Sequence, residues 1–324
     1  MIAFGPVPSR RLGRSLGINN IPAKYCTYSC AYCQLGQTDQ LCHERRAFYP
    51  PDQMVNEVIG RVAQLRAANQ PLDYLTFVAD GEPTLDSQLG ATITQLRPLG
   101  IKIAVVTNAS LIDRADVRET LLRADWVSLK VDTVHPRMWL NINRPAALQL
   151  ENILTGIREF ATQFCGTLTT ETMLVRMLND SPDQVEAVAR FVAELKPSIA
   201  YLAVPTRPPA EPWVEPPTEE DLNRAYQIFR QQYAAVELLT DYEGNTFSST
   251  GNLVTDLLSI TAVHPLRDDA VRALLAKCGA DWTAVQRLLD NGQLTATEYA
   301  GHNFYLRKLP TSQQPTHVEE RKTP

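Results

Sequence analysis

Three cysteines fall within eight residues in Cys26-Thr-Tyr-Ser-Cys30-Ala-Tyr-Cys33, directly after the strand-like run Leu16 to Ile21. Thiolates this close can hold a metal cluster or a zinc ion, and three is one short of the usual four-cysteine set. Either a distant residue completes the site or one metal corner stays open, and an open corner implies chemistry. On the residues alone, Cys42 or His43 is available as a fourth zinc ligand, which would make a structural knuckle. Against that reading stands the motif's position on a loop, where function is expected more than structural support. The remaining cysteines, Cys42, Cys165 and Cys278, are scattered and read as small buried hydrophobes or bystanders.

The chain has 324 residues, with 31 basic and 36 acidic side chains and a net charge of −5, which disfavours an extended nucleic-acid groove. Six cysteines are too few to staple a chain this long, so clustered thiols point to metal binding or catalysis in a reducing compartment. No apolar run approaches a membrane span, and Met1-Ile-Ala-Phe-Gly-Pro lacks the charged and apolar regions of a signal peptide. The expectation is a cytoplasmic protein with no membrane partner.

The elements that must position the thiols repeat regularly. The opening stretch is turn-rich and basic, with Arg10, Arg11 and Arg14 either a solvated cap or an anion-binding cluster. Helical spacing of Met54, Val55, Val58, Ile59, Val62 and Leu65 predicts a helix over 52–69 after Pro50-Pro51. Strands are then expected at Leu72 to Ala79, Ile101 to Thr107, Trp126 to Val131, Leu168 to Val175 and Ile199 to Val204. Helices alternate with them at Leu85 to Leu96, Leu111 to Leu122, Leu148 to Phe164 and Val185 to Leu195. Apolar strands separated by amphipathic helices mark a parallel sheet buried on both faces. Six such units suit a doubly wound sheet or a partial barrel, and either gathers ligands at the C-terminal ends of its strands. The cysteine loop, Asp80-Gly-Glu-Pro83, Asn108-Ala-Ser, Asp132 to His135 and Arg176 to Asp180 would all share that rim.

The proline-rich stretch 205–217 reads as a linker or as a lid over the rim, with Arg207 and Trp213 able to touch a substrate. Thr218 is the expected N-cap of a helix to Tyr233, with Asp221 in the capping-box position, and Val236 to Thr240 reads as a short strand. Beyond it, three short helices (Leu253 to Ile260, Asp268 to Lys277, Trp282 to Leu289) and two alternating runs (Leu294 to Tyr299, Asn303 to Leu309) describe a winged helix. Its six basic and six acidic side chains are a weak footprint for DNA, so protein contact or substrate presentation is the favoured role. The expected division is 1–245, 246–310 and a disordered tail from 311 to 324.

At Cys26, Cys30, Tyr32 and Cys33 the sequence resembles the radical S-adenosylmethionine superfamily, whose hallmark is Cys-x3-Cys-x2-Cys with an aromatic residue before the last cysteine. With the resemblance, the expected fold is α/β, a partial (β/α)6 TIM-type barrel, to which the residue pattern described above adds a C-terminal winged-helix-like domain. It implies a [4Fe-4S] cluster on Cys26, Cys30 and Cys33, with S-adenosylmethionine chelating the fourth iron through its amino and carboxylate groups. One electron from the reduced cluster, whose potential can be as low as about −700 mV for thiolate ligation, would cleave the sulfonium to methionine and a 5′-deoxyadenosyl radical. Tyr32 would lie near cluster and adenine. Asp80, Gly81, Glu82 and Pro83 resemble the segment that binds the methionine amino group, with Asp80 in place of its first glycine. Asn108, Ser128, Lys130 and Asp132 would contact ribose and carboxylate.

Pro8 to Gly17, Asn143-Arg-Pro145 and Arg207-Pro-Pro further resemble the branch related to wybutosine-synthesising tRNA enzymes, without the N-terminal cysteines of that branch's second cluster. The partners implied are an unassigned substrate (small molecule, peptide or RNA) and a one-electron donor such as flavodoxin or ferredoxin. A wybutosine-type RNA-modifying enzyme and a non-catalytic zinc-binding winged-helix scaffold are the alternatives.

Overall fold

The computed structural model describes residues 2–240, 252–263 and 265–308. The chain opens with an antiparallel hairpin, β1 (Ala3–Ser9) and β2 (Gly13–Ile18). Two short paired strands follow in the cysteine loop, β3 (Tyr25–Cys26) and β4 (Gln40–Leu41). Then come α1 (Pro51–Ala67), β5 (Tyr74–Phe77), α2 (Leu89–Leu96), β6 (Lys102–Thr107), α3 (Ala115–Leu121), β7 (Trp126–Lys130), α4 (Pro136–Ile142) and α5 (Leu150–Gln163). The barrel ends with β8 (Thr167–Met173), α6 (Pro182–Leu195), β9 (Ile199–Ala203), α7 (Glu219–Gln232) and β10 (Val236–Leu239).

One sheet of order β1-β2-β5-β6-β7-β8-β9-β10 carries these elements, and every pairing from β2 to β10 is parallel. The ends β1 and β10 do not pair with each other, so the α/β sheet is a partial TIM-type barrel and not a closed one. Helices cover its outer face, with Met54, Val58 and Val62 of α1 and Ile153, Ile157 and Phe160 of α5 in one core with Leu75, Phe77, Val105, Val127 and Leu129 of the strands, while the alternate residues Val106, Ser128 and Lys130 face the barrel cavity. Pro51 starts α1 because a first-turn residue has no intrahelical N–H bond to lose.

The structure departs from the sequence reading in the opening segment, and it adds the short pair β3–β4 and the helix α4. The opening segment is an edge strand and not a cap. Its Gly5-Pro-Val-Pro composition mimics a turn, but an edge strand tolerates residues without a free N–H, and a register shift between Phe4 and Val7 accommodates them. The short strand expected at Val236 to Thr240 is β10, and it joins the sheet as a seventh parallel strand because α7 returns the chain along β9. Thr218 caps α7 as its spacing predicts, accepting from the Asp221 N–H at 3.1 Å.

A second unit comprises α8 (Leu253–Val263), β11 (Leu266–Arg267), α9 (Asp268–Cys278), α10 (Thr283–Asp290), β12 (Leu294–Tyr299) and β13 (His302–Arg307). To the expected helices and hairpin it adds β11, making a sheet of order β11-β13-β12. It has its own core, including Leu257, Leu274, Val285 and Leu294, against which Val7 of β1 packs. The unit therefore covers the edge strand, which an open sheet must protect. The expected boundary at 245/246 and the tail from 311 lie outside the described residues. Among the described residues no helix is long and apolar enough to cross a membrane.

Candidate cluster and cofactor site

The cysteine loop leaves the C-terminal end of β2 and is pinned to the loops beside it. Asn19 and Asp80 bond reciprocally: the Asn19 amide donates to Asp80 Oδ2 at 2.6 Å and the Asp80 N–H donates to Asn19 Oδ1 at 3.1 Å. The Lys24 N–H reaches the Asp80 carbonyl at 2.7 Å and the Glu82 N–H reaches the Tyr25 carbonyl at 3.2 Å, so Asp80-Gly-Glu82 runs against β3 as a short backbone clamp. On the other side the Ala31 N–H donates to the Ile142 carbonyl at 2.8 Å, at the end of α4. The proline-rich stretch after β9 lies over this loop: the Glu211 N–H donates to the Ala31 carbonyl at 3.0 Å, and Val214 packs with Ala31, Tyr32 and Ile142. The lid reading fits that placement, although Trp213 is 50% exposed.

Cys26, Cys30 and Cys33 line one cavity of about 310 Å³ together with Tyr32, Asp80, Gly81, Glu82, Asn108, Ser128 and Lys130. Its walls come from the C-terminal ends of β2, β5, β6, β7 and β8, the shared rim that the alternating pattern predicts. Burial, then the charges of Asp132 and Cys33, push the Cys30 thiol up to about 12; burial first, then Cys30, raises Cys26, and burial raises Cys33. Thiols held neutral in this way ionise when a metal supplies positive charge. Two amides already meet the sulfurs, Asn108 Nδ2 at 3.6 Å from Cys26 Sγ and Asn143 Nδ2 at 3.5 Å from Cys30 Sγ. Such donors stabilise negative charge on ligand sulfur. The chemistry of the donor set, three thiols with an amide beside two of them, suits a three-thiolate cluster. Among the described residues no three Cys, His, Asp or Glu side chains already stand in a metal-holding group.

Each remaining sequence-predicted residue has a definite place. Tyr32 donates its hydroxyl to Asp132, and the Lys130 ammonium lies 5.0 Å from the centre of the Tyr32 ring. Asp80 is buried, with Oδ1 lacking a partner among the described residues. Glu82 accepts from the Thr84 N–H (2.9 Å), the Thr84 hydroxyl (2.5 Å), the Thr107 hydroxyl (2.7 Å) and the Asn108 N–H (2.8 Å), so it aims the Asn108 loop. Pro83 and Asp132 do not line the cavity. Pro83 opens a one-turn helix and accepts from Asn20, while Asp132 also takes the Asn143 amide at 2.7 Å and the Met173 N–H at 2.9 Å.

Sequence reasoning missed Glu171 and undervalued Arg11. Lys130 is expected to contact the cofactor, but its ammonium pairs with Glu171 Oε1 at 2.6 Å, and Arg11 takes Glu171 Oε2. The available signal was a lone acid inside the strand Leu168 to Val175. Arg14, by contrast, makes an exposed pair with Asp73.

Burial alone would raise the Glu171 carboxyl, but Lys130 and then Arg11 hold it down at about 2. A carboxylate near 4.3 when unfolded therefore contributes stability that is fully present above that pH and is lost as the pH falls through about 2. Glu171→Gln, which strands two buried cations, is expected to lower unfolding stability at pH 7 by about 3–5 kcal/mol. In urea titrations of the metal-free protein the deficit should shrink at acid pH; a deficit constant with pH would contradict the ion-pair account.

A cysteine loop at the mouth of a partial parallel barrel defines a cluster-dependent enzyme class, and the comparisons agree. The Radical SAM superfamily profile matches residues 20–192, and the chain belongs to that superfamily, whose cofactors are a [4Fe-4S] cluster and S-adenosylmethionine. Within it the chain belongs to the UPF0026 family: it is 43% identical over 311 residues to a UPF0026 protein of Methanocaldococcus jannaschii, covering 95% of this chain and 96% of that one. The fold is similar to that of a radical SAM methyltransferase from Sphaerobacter thermophilus (TM-score 0.51, 18% identity, 70% of this chain and 66% of that one). It is also similar to TYW1 with a lysine-pyruvate adduct bound (TM-score 0.53, 14% identity, 67% and 73%). At these identities both are likenesses of fold.

Proposed function

We propose that Cys26, Cys30 and Cys33 hold three irons of the cluster and leave the fourth to S-adenosylmethionine, in an enzyme that modifies a substrate by radical chemistry. When bound and reduced by a one-electron donor, the pair would supply reductive opening of a carbon–sulfur bond of the sulfonium, yielding methionine and a carbon radical able to take a hydrogen atom from substrate. The chain's own work is placement and exclusion of water. Asp80 Oδ1 offers an acceptor for the cofactor ammonium, Tyr32 forms a wall held by Asp132, Ser128 and Lys130 offer polar contacts, and Asn108 and Asn143 stabilise the ligand sulfurs. Gly81 and Pro83 shape the loop, and Glu82 positions Asn108. The unit 252–308 serves as a winged-helix-like module for protein contact or substrate presentation; its helix–strand–helix–helix–strand–strand order and balanced charge support this role.

The observation that carries the reading is the convergence of all three thiols on one rim cavity. Anaerobic reconstitution with iron and sulfide should give a brown protein whose electron paramagnetic resonance signal shifts on adding S-adenosylmethionine and which releases 5′-deoxyadenosine under a strong reductant. Stoichiometric zinc without such a signal would sink the reading in favour of a scaffold.

A further inference from the structure

The inside of the barrel holds an arrangement that the cluster chemistry does not use. Arg11 sits in the turn between β1 and β2, before the strand that leads to the cysteine loop. Its side chain reaches the same cavity as the thiols from the opposite end of the strands. One of its terminal nitrogens pairs with Glu171, and the guanidinium carbon lies 5.8 Å from the centre of the Tyr201 ring. Its Nε is buried and meets no acceptor among the described residues. An orphaned buried N–H of this kind is uncommon and points to an absent water, ion or ligand.

Charge gives the same indication. Glu171 is shared by Arg11 and Lys130, and the three side chains are 13%, 16% and 20% exposed, respectively. Lys130 also has Asp132 nearby, whereas the ion pair of Arg11 is with Glu171, which it shares with Lys130. The other acids on the cavity wall are committed elsewhere: Glu82 accepts four protein donors and Asp80 accepts from Asn19. Lys24 faces Asp39 at 3.7 Å, and Arg207 donates to Gln34 at 2.7 Å.

We propose that Arg11, held by Glu171 and Tyr201, binds an anionic group of the substrate, a carboxylate or a phosphate, inside the barrel. The inference rests on the radical S-adenosylmethionine reading of this cavity and adds the substrate's chemical class. The Arg11 guanidinium shares Glu171 with Lys130, whose ammonium lies 5.0 Å from the centre of the Tyr32 ring, so the anion would sit beside the cofactor. The cofactor's own carboxylate is the competing occupant, and loading S-adenosylmethionine before the anion is titrated separates the two. Arginine suits the task because its planar fork presents fixed N–H donors to a carboxylate or phosphate and does not lose its charge on burial.

The test titrates inorganic phosphate and, separately, acetate into the reconstituted, S-adenosylmethionine-loaded protein by isothermal titration calorimetry, with iron counted in the same samples. At least one anion should saturate, Arg11→Gln should weaken it tenfold or more, and Arg11→Lys should fall between. Arg14→Gln, at the exposed pair with Asp73, should leave it unchanged. The better-bound anion distinguishes carboxylate from phosphate. Circular dichroism checks that the variants fold. Absence of saturation by either anion, equal binding in Arg11→Gln, or displacement of the anion by S-adenosylmethionine would overturn the proposal. The cluster reading fails separately, by low iron, and the same titrations on the metal-free chain still report on Arg11.

Discussion

Cys30→Ala is expected to abolish both the cluster and S-adenosylmethionine cleavage. Three thiolates are the fewest that can hold a cubane while leaving one iron for the cofactor, so losing one leaves two irons without protein ligands. Cys30 is also the sulfur that meets the Asn143 amide, which ties it to Tyr32 and Asp132 through the same side chain. Iron should fall from about four per chain to background, and 5′-deoxyadenosine should become undetectable. Two controls give the result its meaning. Cys165 is exposed and Cys165→Ala should behave as the parent. Cys42 is the stringent case, because its N–H donates to the Cys26 carbonyl at 3.0 Å and it is the nearest alternative ligand in the sequence. Retention of iron by Cys42→Ala supports the three-cysteine assignment; its loss, or retention by Cys30→Ala, would refute it.

Gly81→Ala should unfold the cluster loop although the substitution is the smallest available. Gly81 does not have a positive φ, so the effect is steric and not conformational. A methyl group there would lie well inside van der Waals contact of the Tyr25 carbonyl oxygen and carbon, which are backbone atoms that cannot rotate away. Relief requires β3 to part from the 80–82 segment, breaking the Lys24-to-Asp80 and Glu82-to-Tyr25 hydrogen bonds and displacing Cys26 next to them. Overpacking of about 1–3 kcal/mol and about 1 kcal/mol for each lost bond give an expected destabilisation of roughly 3–5 kcal/mol. A glycine replaced by alanine without a clash would be stabilising by about 0.4–1 kcal/mol, so the sign alone decides. Urea unfolding of the metal-free protein and iron content after reconstitution measure the two consequences; an unchanged midpoint with full iron would contradict the clamp.

Much of this architecture is legible in the order of residues. The alternation of apolar strands with amphipathic helices reports a parallel sheet because each strand is buried on both faces, and the loops after those strands necessarily gather at one end. Cys26, Cys30 and Cys33 are close in sequence, so their proximity in space needs no fold. The edge strand β1 was hidden because prolines read as turn residues wherever pairing geometry is unknown, whereas the short strand β10 was legible and only its place in the sheet was not.

The residues that only the tertiary structure brought together are those far apart in the chain. Arg11 and Glu171 are separated by 160 positions, and Lys130 and Glu171 by 41. No local periodicity encodes such a pairing; it arises because strand register sets Lys130 beside Glu171 and the β1–β2 turn carries Arg11 into the barrel. The same holds for Asn143, which reaches Cys30 across 113 positions once α4 closes against the cysteine loop. The sequence by itself therefore determined the class of fold and singled out the three candidate thiols, since both follow from short-range spacing and burial pattern. The tertiary structure decided which charges share the cavity, because electrostatic partnership depends on distance in space.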